Sequence, residues 1–283
     1  MLQHRESLSS QDALPDGGDH AVDMVSYGVP FRLSAKSGAL LDLMRQQAPF
    51  GSVECRSVWP DARTFALRST EPDAHYQVTA DDELLLEAKT LGPALIQLGG
   101  HMMIHVAEYA PDLVFIHSGA VAWQDRALLL PGQSHAGKST LVAELVRAGA
   151  TYYSDEFALL DCEGKVHPFT RDLRMRNPGL PDQTPIPLAQ LNGRAGTEAL
   201  VVAMVVFAEF AEGARWAPEP VLPGRAVLEM LLHSTPVQRT PGRVLATLTA
   251  VMRHATAWRS QRGEAEAAAR SLLAALATGE LPV

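Results

Sequence analysis

The sequence has few cysteines, no long apolar run and a shortage of positive charge. Its two cysteines among 283 residues, Cys55 and Cys162, form no metal-type or redox-type spacing and read as ordinary thiols. Such usage suits a reducing compartment. The longest apolar stretches, such as Leu200 to Ala208, fall far short of the ~20 residues a membrane helix needs. The first residues have no basic start followed by an apolar run, so no secretory signal is expected. A soluble, cytoplasmic protein without membrane contact is the expectation. Lys and Arg number 24 against 32 Asp and Glu, a formal net charge of −8, which argues against a general nucleic-acid binder because backbone affinity depends on cations displacing counterions. Aromatics make up 6 % and form no stacking series. What is abundant is apolar character, 47 % of residues, enough to pack one large domain or a core domain with a small companion.

Residues 1–23 are polar and aperiodic and are expected to form a flexible tail. Residues 24–95 suggest a small α+β accessory domain, with strands at Val25 to Val29 and Phe65 to Arg68 and an amphipathic helix from Ala39 to Arg45. Residues 96–283 carry the larger domain. A helical pattern from Gly92 to Glu108 stops before Pro111, and strands follow at Leu113 to Ala122 and at Ala127 to Pro131 with a turn at Trp123 to Arg126. Leu141, Val142, Leu145 and Val146 then make a helical stripe. Strands are expected at Thr151 to Tyr153, Phe157 to Leu160 and Val201 to Phe207, with a hairpin turn at Glu163 to Lys165 and loop from Pro168 to Pro187. From about Gly224 the chain reads as helical, in three pieces.

The buried strand ending at Pro131 runs straight into Gly132-Gln133-Ser134-His135-Ala136-Gly137-Lys138-Ser139-Thr140. The spacing G-x-x-x-x-G-K-[ST] is that of a phosphate loop. Glycines keep side chains away so that several N–H groups can converge on a polyphosphate, and the loop opens a helix whose N-terminus favours an anion. Lys138 is expected to reach the outer phosphates and Ser139 to put its hydroxyl on Mg²⁺. ATP with Mg²⁺ is the expected ligand, held by residues 132 to 140. His135 stands where a small residue is common; solvent exposure is expected, with contact to the nucleotide as the open alternative.

Asp155 follows the strand after the loop helix. In a parallel sheet that strand ends beside the phosphate loop, where a carboxylate meets Mg²⁺ or an attacking hydroxyl. Glu156 is adjacent, and strand alternation puts only one of the two in the site. Asp is also common in turns, so a capping role for Asp155 stays open. His117 ends the preceding strand and lies near the outer phosphate if those strands pair; a single histidine there can equally be structural.

Three runs together carry a family resemblance: Phe115-Ile-His-Ser-Gly-Ala-Val, Leu128-Leu-Leu-Pro-Gly-Gln-Ser-His-Ala-Gly-Lys-Ser-Thr-Leu and Gly149-Ala-Thr-Tyr-Tyr-Ser-Asp-Glu-Phe-Ala-Leu-Leu-Asp. The chain resembles the catalytic domain of the HPr serine kinase/phosphorylase family and its shorter kinase relatives, such as those of peptide-tailoring pathways. His117 lies 21 residues before Lys138 and Asp155 lies 17 after it, as in that family. The likeness covers about 110–260 and is strongest over 113–161. It implies an α/β fold of the phosphoenolpyruvate carboxykinase/HPr kinase type and ATP-dependent transfer to a serine hydroxyl. It also implies Asp155 as general base and His117 as a group that positions the γ-phosphate or the base. The family's second aspartate is Glu156 here, and the stretch 177–197 is unlike its signature loop with a metal-binding glutamate. Neither the reverse, phosphorylase reaction nor HPr as acceptor follows from the resemblance.

Arg171, Arg174 and Arg176 cluster after a hairpin. Arg174 and Arg176 are candidates to neutralise a transferring phosphoryl group or to bind substrate, with a solvated basic edge as the plain alternative. Arg194 is a looser candidate. His101 and His105 have a helical zinc spacing without the metalloprotease glutamate and read as ordinary helix histidines. Trp216 and Trp258 read as core or interface anchors. The family resemblance also implies an oligomer. The leading expectation is a kinase acting on a serine of a peptide or small protein, with a small-molecule kinase or a nucleotide-binding regulatory protein of little turnover as alternatives.

Overall fold

The computed structural model describes residues 19–56, 59–70, 75–81, 83–133, 136–176 and 183–278. The chain is mixed α/β and divides into two compact units, one of residues 1–25, 30–48 and 53–102, the other of 26–29, 49–52 and 103–283.

The first unit is built on a six-stranded sheet in the order β3-β1-β2-β4-β5-β6. Its strands are β1 (His20–Ser26), β2 (Val29–Ala35), β3 (Val53–Glu54), β4 (Arg63–Thr70), β5 (His75–Ala80) and β6 (Glu83–Ala88), with helix α1 (Gly38–Arg45) between β2 and β3. Ser37 caps α1 by accepting the Leu40 N–H at 3.3 Å. Two expectations are corrected here. The stretch Val25 to Val29 is not one strand: Tyr27 and Gly28 take positive φ, 47° and 79°, and reverse the chain. The expected tail 1–23 ends sooner, because His20 to Asp23 belong to β1, where Asp23 receives the Arg32 guanidinium at 2.7 Å. Residues 1–18 of that tail lie outside the described residues.

Helix α2 (Leu91–Tyr109) leads into the second unit. There β7 (Val114–Trp123) and β8 (Arg126–Pro131) form a hairpin, with Gln124 and Asp125 both at positive φ as a two-residue turn requires. Helix α3 (Lys138–Arg147), β9 (Thr151–Ser154), β10 (Phe157–Leu160), β11 (Lys165–His167), β12 (Leu173–Arg176), β13 (Gln183–Ile186) and β14 (Arg194–Ala195) follow. The unit is completed by β15 (Leu200–Phe210), β16 (Glu219–Pro220), α4 (Pro223–Leu231), α5 (Pro241–Met252), β17 (Thr256–Arg262) and α6 (Ala265–Thr278).

Pairing gives a mixed sheet rather than the parallel one expected. β8 pairs in parallel with β15, and β15 in parallel with β17, while β7 runs antiparallel to both β8 and β9 and stands between them. The tight β7–β8 turn dictates this, since a two-residue connection can join only antiparallel strands. β8, β9, β15 and β17 therefore point the same way, and Pro131, Ser154, Phe210 and Arg262 come out along one edge. That edge, the carboxyl ends of parallel strands, is where open α/β sheets take ligands.

Two further expectations are corrected. The supposed loop from Pro168 to Pro187 contains the antiparallel pair β12–β13, in register from Leu173 with Ile186 to Arg176 with Gln183. The tail end of the chain is not all helix: β17 lies between α5 and α6, pulled into strand by its seven-residue parallel pairing with β15. Local propensity is overridden there by long-range hydrogen bonding.

The sheet is buried on both faces, and alternate residues separate into two cores. Val121, Leu128, Leu130, Met204 and Val206 join residues of α3 and α6 in one, whereas Ala120, Ala127, Leu129, Val205 and Phe207 join residues of α4 and α5 in the other. Close approach of α3 to β7 depends on Gly119, where an added Cβ would lie 2.7 Å from Val142 Cγ2. Gly119→Ala is accordingly expected to destabilise the protein by about 1–3 kcal/mol through overpacking, read as a lower urea midpoint with an unchanged m-value. Among the described residues no helix is long and apolar enough to cross a membrane.

Candidate functional site

The loop after β8 turns into α3 at Gly137, which has φ 79° and ψ 19°, a left-handed conformation that disfavours other residues. An added Cβ there would meet Arg262 Nη2 at 2.5 Å and Phe210 Cβ at 3.2 Å. Helix α3 begins at Lys138 with no side chain capping its first turn, which leaves its N-terminal amide groups facing the loop.

Lys138 is buried, and its ammonium donates to the carbonyls of Gly132 and Gln133 at 2.8 Å each. Burial lowers its pKa to about 8, against the opposing pull of the Asp155 and Glu156 carboxylates. Ser139 Oγ donates to Asp155 Oδ2 at 3.1 Å. Asp155 is itself buried and accepts two more donors, the Tyr152 hydroxyl at 2.9 Å on Oδ1 and the Arg174 backbone N–H at 3.1 Å on Oδ2. The carboxylate is thereby fixed in orientation by β9, β12 and α3 together. Burial and the neighbouring Asp155 charge push the Tyr152 hydroxyl pKa far up, so it stays a donor.

Glu156 departs from the expectation that one acidic residue faces away. Asp155 and Glu156 lie in a bend between β9 and β10 rather than within a strand, so strand alternation does not apply. Ser154 Oγ accepts the N–H groups of Glu156 and Phe157 and holds that bend. The Glu156 carboxylate acts on Lys138 along with Asp155 and forms an ion pair with Arg171. Burial raises the Glu156 pKa, partly offset by the Arg171 guanidinium. Arg171 also stands 6.0 Å from the Phe169 ring.

On the opposite flank, Gly132 N–H reaches the His117 carbonyl at 3.4 Å, so β7 and the start of the loop are joined as the sequence suggested. His117 N–H in turn donates to the His233 carbonyl at 2.8 Å. Burial, then the Lys138 charge, then His233 lower the His117 pKa to about 4. His233 is lowered in the same way, burial and Lys138 outweighing Glu229. A histidine with depressed folded-state pKa contributes stability that is complete above its unfolded value near 6.5 and is lost as pH falls through about 4. Urea midpoints are therefore expected to fall between pH 6.5 and pH 4, and His117→Gln should flatten that fall; identical pH profiles would show the imidazole to be unperturbed.

His233 also lines a cleft of about 970 Å³ that begins at Pro131, Gly132, Gln133 and Ala136 and runs along β15, β17 and α4. Nothing local marks His233, Tyr152 or Arg262 as site residues. His233 follows an amphipathic helix, Tyr152 sits in an ordinary buried strand, and Arg262 is brought to the loop from 125 residues away.

Of the other residues singled out in the sequence, Thr140 lies in the first turn of α3, and Arg174 and Arg176 lie on β12. Ser134, His135 and the side chain of Arg176 fall outside the described residues. Arg194 is exposed on β14, next to β9 in the sheet, but it pairs with Thr151, at the end of β9 away from Asp155. His105 is buried with its ring 4.6 Å from that of Tyr109. Trp216 packs on the α3–α6 core and donates its indole N–H to Ser271 Oγ at 3.1 Å.

Among the described residues no group of three or more His, Cys, Asp or Glu is placed to hold a metal. The oxygens of Ser139 and Asp155 do fit Mg²⁺, which takes one or two protein ligands and completes its shell with phosphates and water. No family model matches the sequence, and no curated protein matches it at a significant level.

Proposed function

We propose that this chain is an ATP-dependent phosphotransferase that moves the γ-phosphoryl group to a hydroxyl, a serine of a peptide or small protein, from a phosphate loop of the HPr kinase type. The observation that carries the reading is the Ser139–Asp155 contact at 3.1 Å, one residue from buried Lys138. A cation, a hydroxyl and a carboxylate meet at the N-terminus of a helix that follows a glycine-bounded loop.

In this reading, Lys138 and the amide groups opening α3 hold the β- and γ-phosphates. Ser139 and Asp155 are the residues that would hold Mg²⁺, which neutralises phosphate charge when bound. Of the three donors on Asp155, the backbone N–H of Arg174 and the Tyr152 phenol are tied into β12 and β9, so the Ser139 hydroxyl is the one free to turn away. The acceptor's hydroxyl then takes that place on Oδ2. Asp155 removes its proton as the new O–P bond forms and the bond from γ-phosphorus to the bridging oxygen breaks, releasing ADP. His117 and His233 flank Lys138 as neutral donors towards the transferring oxygens. Arg171 holds Glu156, which leaves Lys138 its charge for the phosphates.

Calorimetric titration with ATP in the presence of Mg²⁺, followed by label transfer from γ-labelled ATP to panels of peptides and of metabolites, tests this. Saturable binding with label on a peptide serine supports it. Label on a metabolite alone would make the protein a small-molecule kinase, binding without transfer would make it a regulatory nucleotide binder, and absence of binding would end the reading.

A further inference from the structure

Arg262, the last residue of β17, is 2 % exposed. Its guanidinium donates from Nη2 to the Gly137 carbonyl at 2.7 Å and from Nη1 to the Gly263 carbonyl at 2.9 Å, and stands 5.6 Å from the Phe210 ring. Phe210, at the end of β15, gives its own N–H to the Ala136 carbonyl at 3.2 Å. The ends of two neighbouring strands thus each grip one carbonyl in the last turn of the loop. Gly137 O also accepts the Leu141 N–H at 3.1 Å, so both its lone pairs are engaged.

A trans peptide unit points its C=O and N–H in opposite directions. Fixing the oxygens of residues 136 and 137 on the β15–β17 side therefore aims the N–H groups of Gly137 and Lys138 the other way, away from those strands. Those are the donors a phosphate cradle uses. Gly137 is a glycine for the same reason, since any Cβ would collide with Nη2.

Resting on the reading of this loop as a triphosphate site, we infer that Arg262 is a positioning residue, a clamp that touches no ligand and keeps the amide donors of Gly137 and Lys138 aimed at the phosphates. Burying a guanidinium against carbonyls without a bound carboxylate is an expensive way to fill space, and an apolar side chain of like volume is often neutral or stabilising in such a place. Burial lowers the Arg262 pKa, with Glu264 opposing. A packing role and a positioning role therefore differ in what they predict for stability.

The test uses the full chain with Arg262→Met and Arg262→Lys, titrated with ATP and with inorganic tripolyphosphate, alongside hydrogen exchange of the segment 133–141 and thermal unfolding. Arg262→Met is expected to weaken both ligands at least tenfold and to speed exchange of the loop amides about tenfold, with a melting midpoint equal to or above that of the parent. Arg262→Lys, which keeps a cationic donor, should recover most of the affinity. Unchanged exchange with affinities within twofold would overturn the clamp, as would affinity and melting midpoint falling together with no rescue by lysine. Should Arg262→Met not fold, the lysine variant carries the comparison: slower exchange and tighter binding than an Arg262→Gln control support the clamp, equality sinks it. If the parent binds neither ligand yet exchange quickens in the variants, the clamp stands and the nucleotide reading fails.

Discussion

Asp155→Asn is expected to lower phosphoryl transfer by about 10²–10⁴-fold, the usual contribution of a general base, with a smaller loss of ATP affinity, because one of the two residues that would hold Mg²⁺ loses its charge. The geometry makes this substitution unusually clean. An asparagine can keep its carbonyl where Oδ2 is, accepting from the Arg174 N–H, which cannot rotate away, and from Ser139. Its amide nitrogen then faces the Tyr152 hydroxyl, which can turn to accept. Hydrogen bonds to a charged acceptor become neutral ones, so a stability loss of about 1 kcal/mol is anticipated. The quantity to compare is kcat for transfer against the dissociation constant for ATP. Equal kcat in the two proteins would remove Asp155 from the chemistry; a lost affinity at equal kcat would make it a ligand of the nucleotide alone.

Lys138→Met is expected to act unequally on folding and on binding. The ammonium is largely desolvated, with a pKa drawn down to about 8, so removing it relieves a burial penalty. The two carbonyls it leaves, on Gly132 and Gln133, belong to residues with access to water. Against that relief stands the loss of the cation facing the Asp155 and Glu156 carboxylates, so folding stability should change little. ATP affinity should fall by about two orders of magnitude, the worth of a charge-assisted contact to phosphate at roughly 1.5–3 kcal/mol. Transfer should fall further, because charge on the moving phosphoryl group grows in the transition state. A variant that binds ATP normally would show that the lysine serves the loop's own carbonyls and nothing else.

Where sequence reasoning succeeded, the determinants were local. The buried run Ala127 to Pro131, the glycine at 137 and the apolar stripe on α3 lie within twenty residues of one another, and each obeys a rule of backbone sterics or helical periodicity. The strand ending near Asp155 was also legible. Its company was not. The reversal between β7 and β8 follows from a turn whose two central residues have positive φ, but that turn does not say which strand takes the other edge of β7. The alternation argument failed at Glu156 because Ser154 bends the chain there, a side-chain-to-backbone effect that no periodicity reveals.

The sequence alone determined the glycine-bounded loop after β8, the helix it opens and the presence of acidic residues one strand further on, because hydrogen bonds within a few residues and the burial of short apolar runs are set by neighbours along the chain. Tertiary structure alone decided that Asp155 would receive Ser139 from 16 residues away, that His233 would stand behind His117, and that Arg262 would seize Gly137 across 125. Such contacts exist only once the strand order is fixed, and strand order is chosen by the pairing of whole edges, which depends on every strand in the sheet at once.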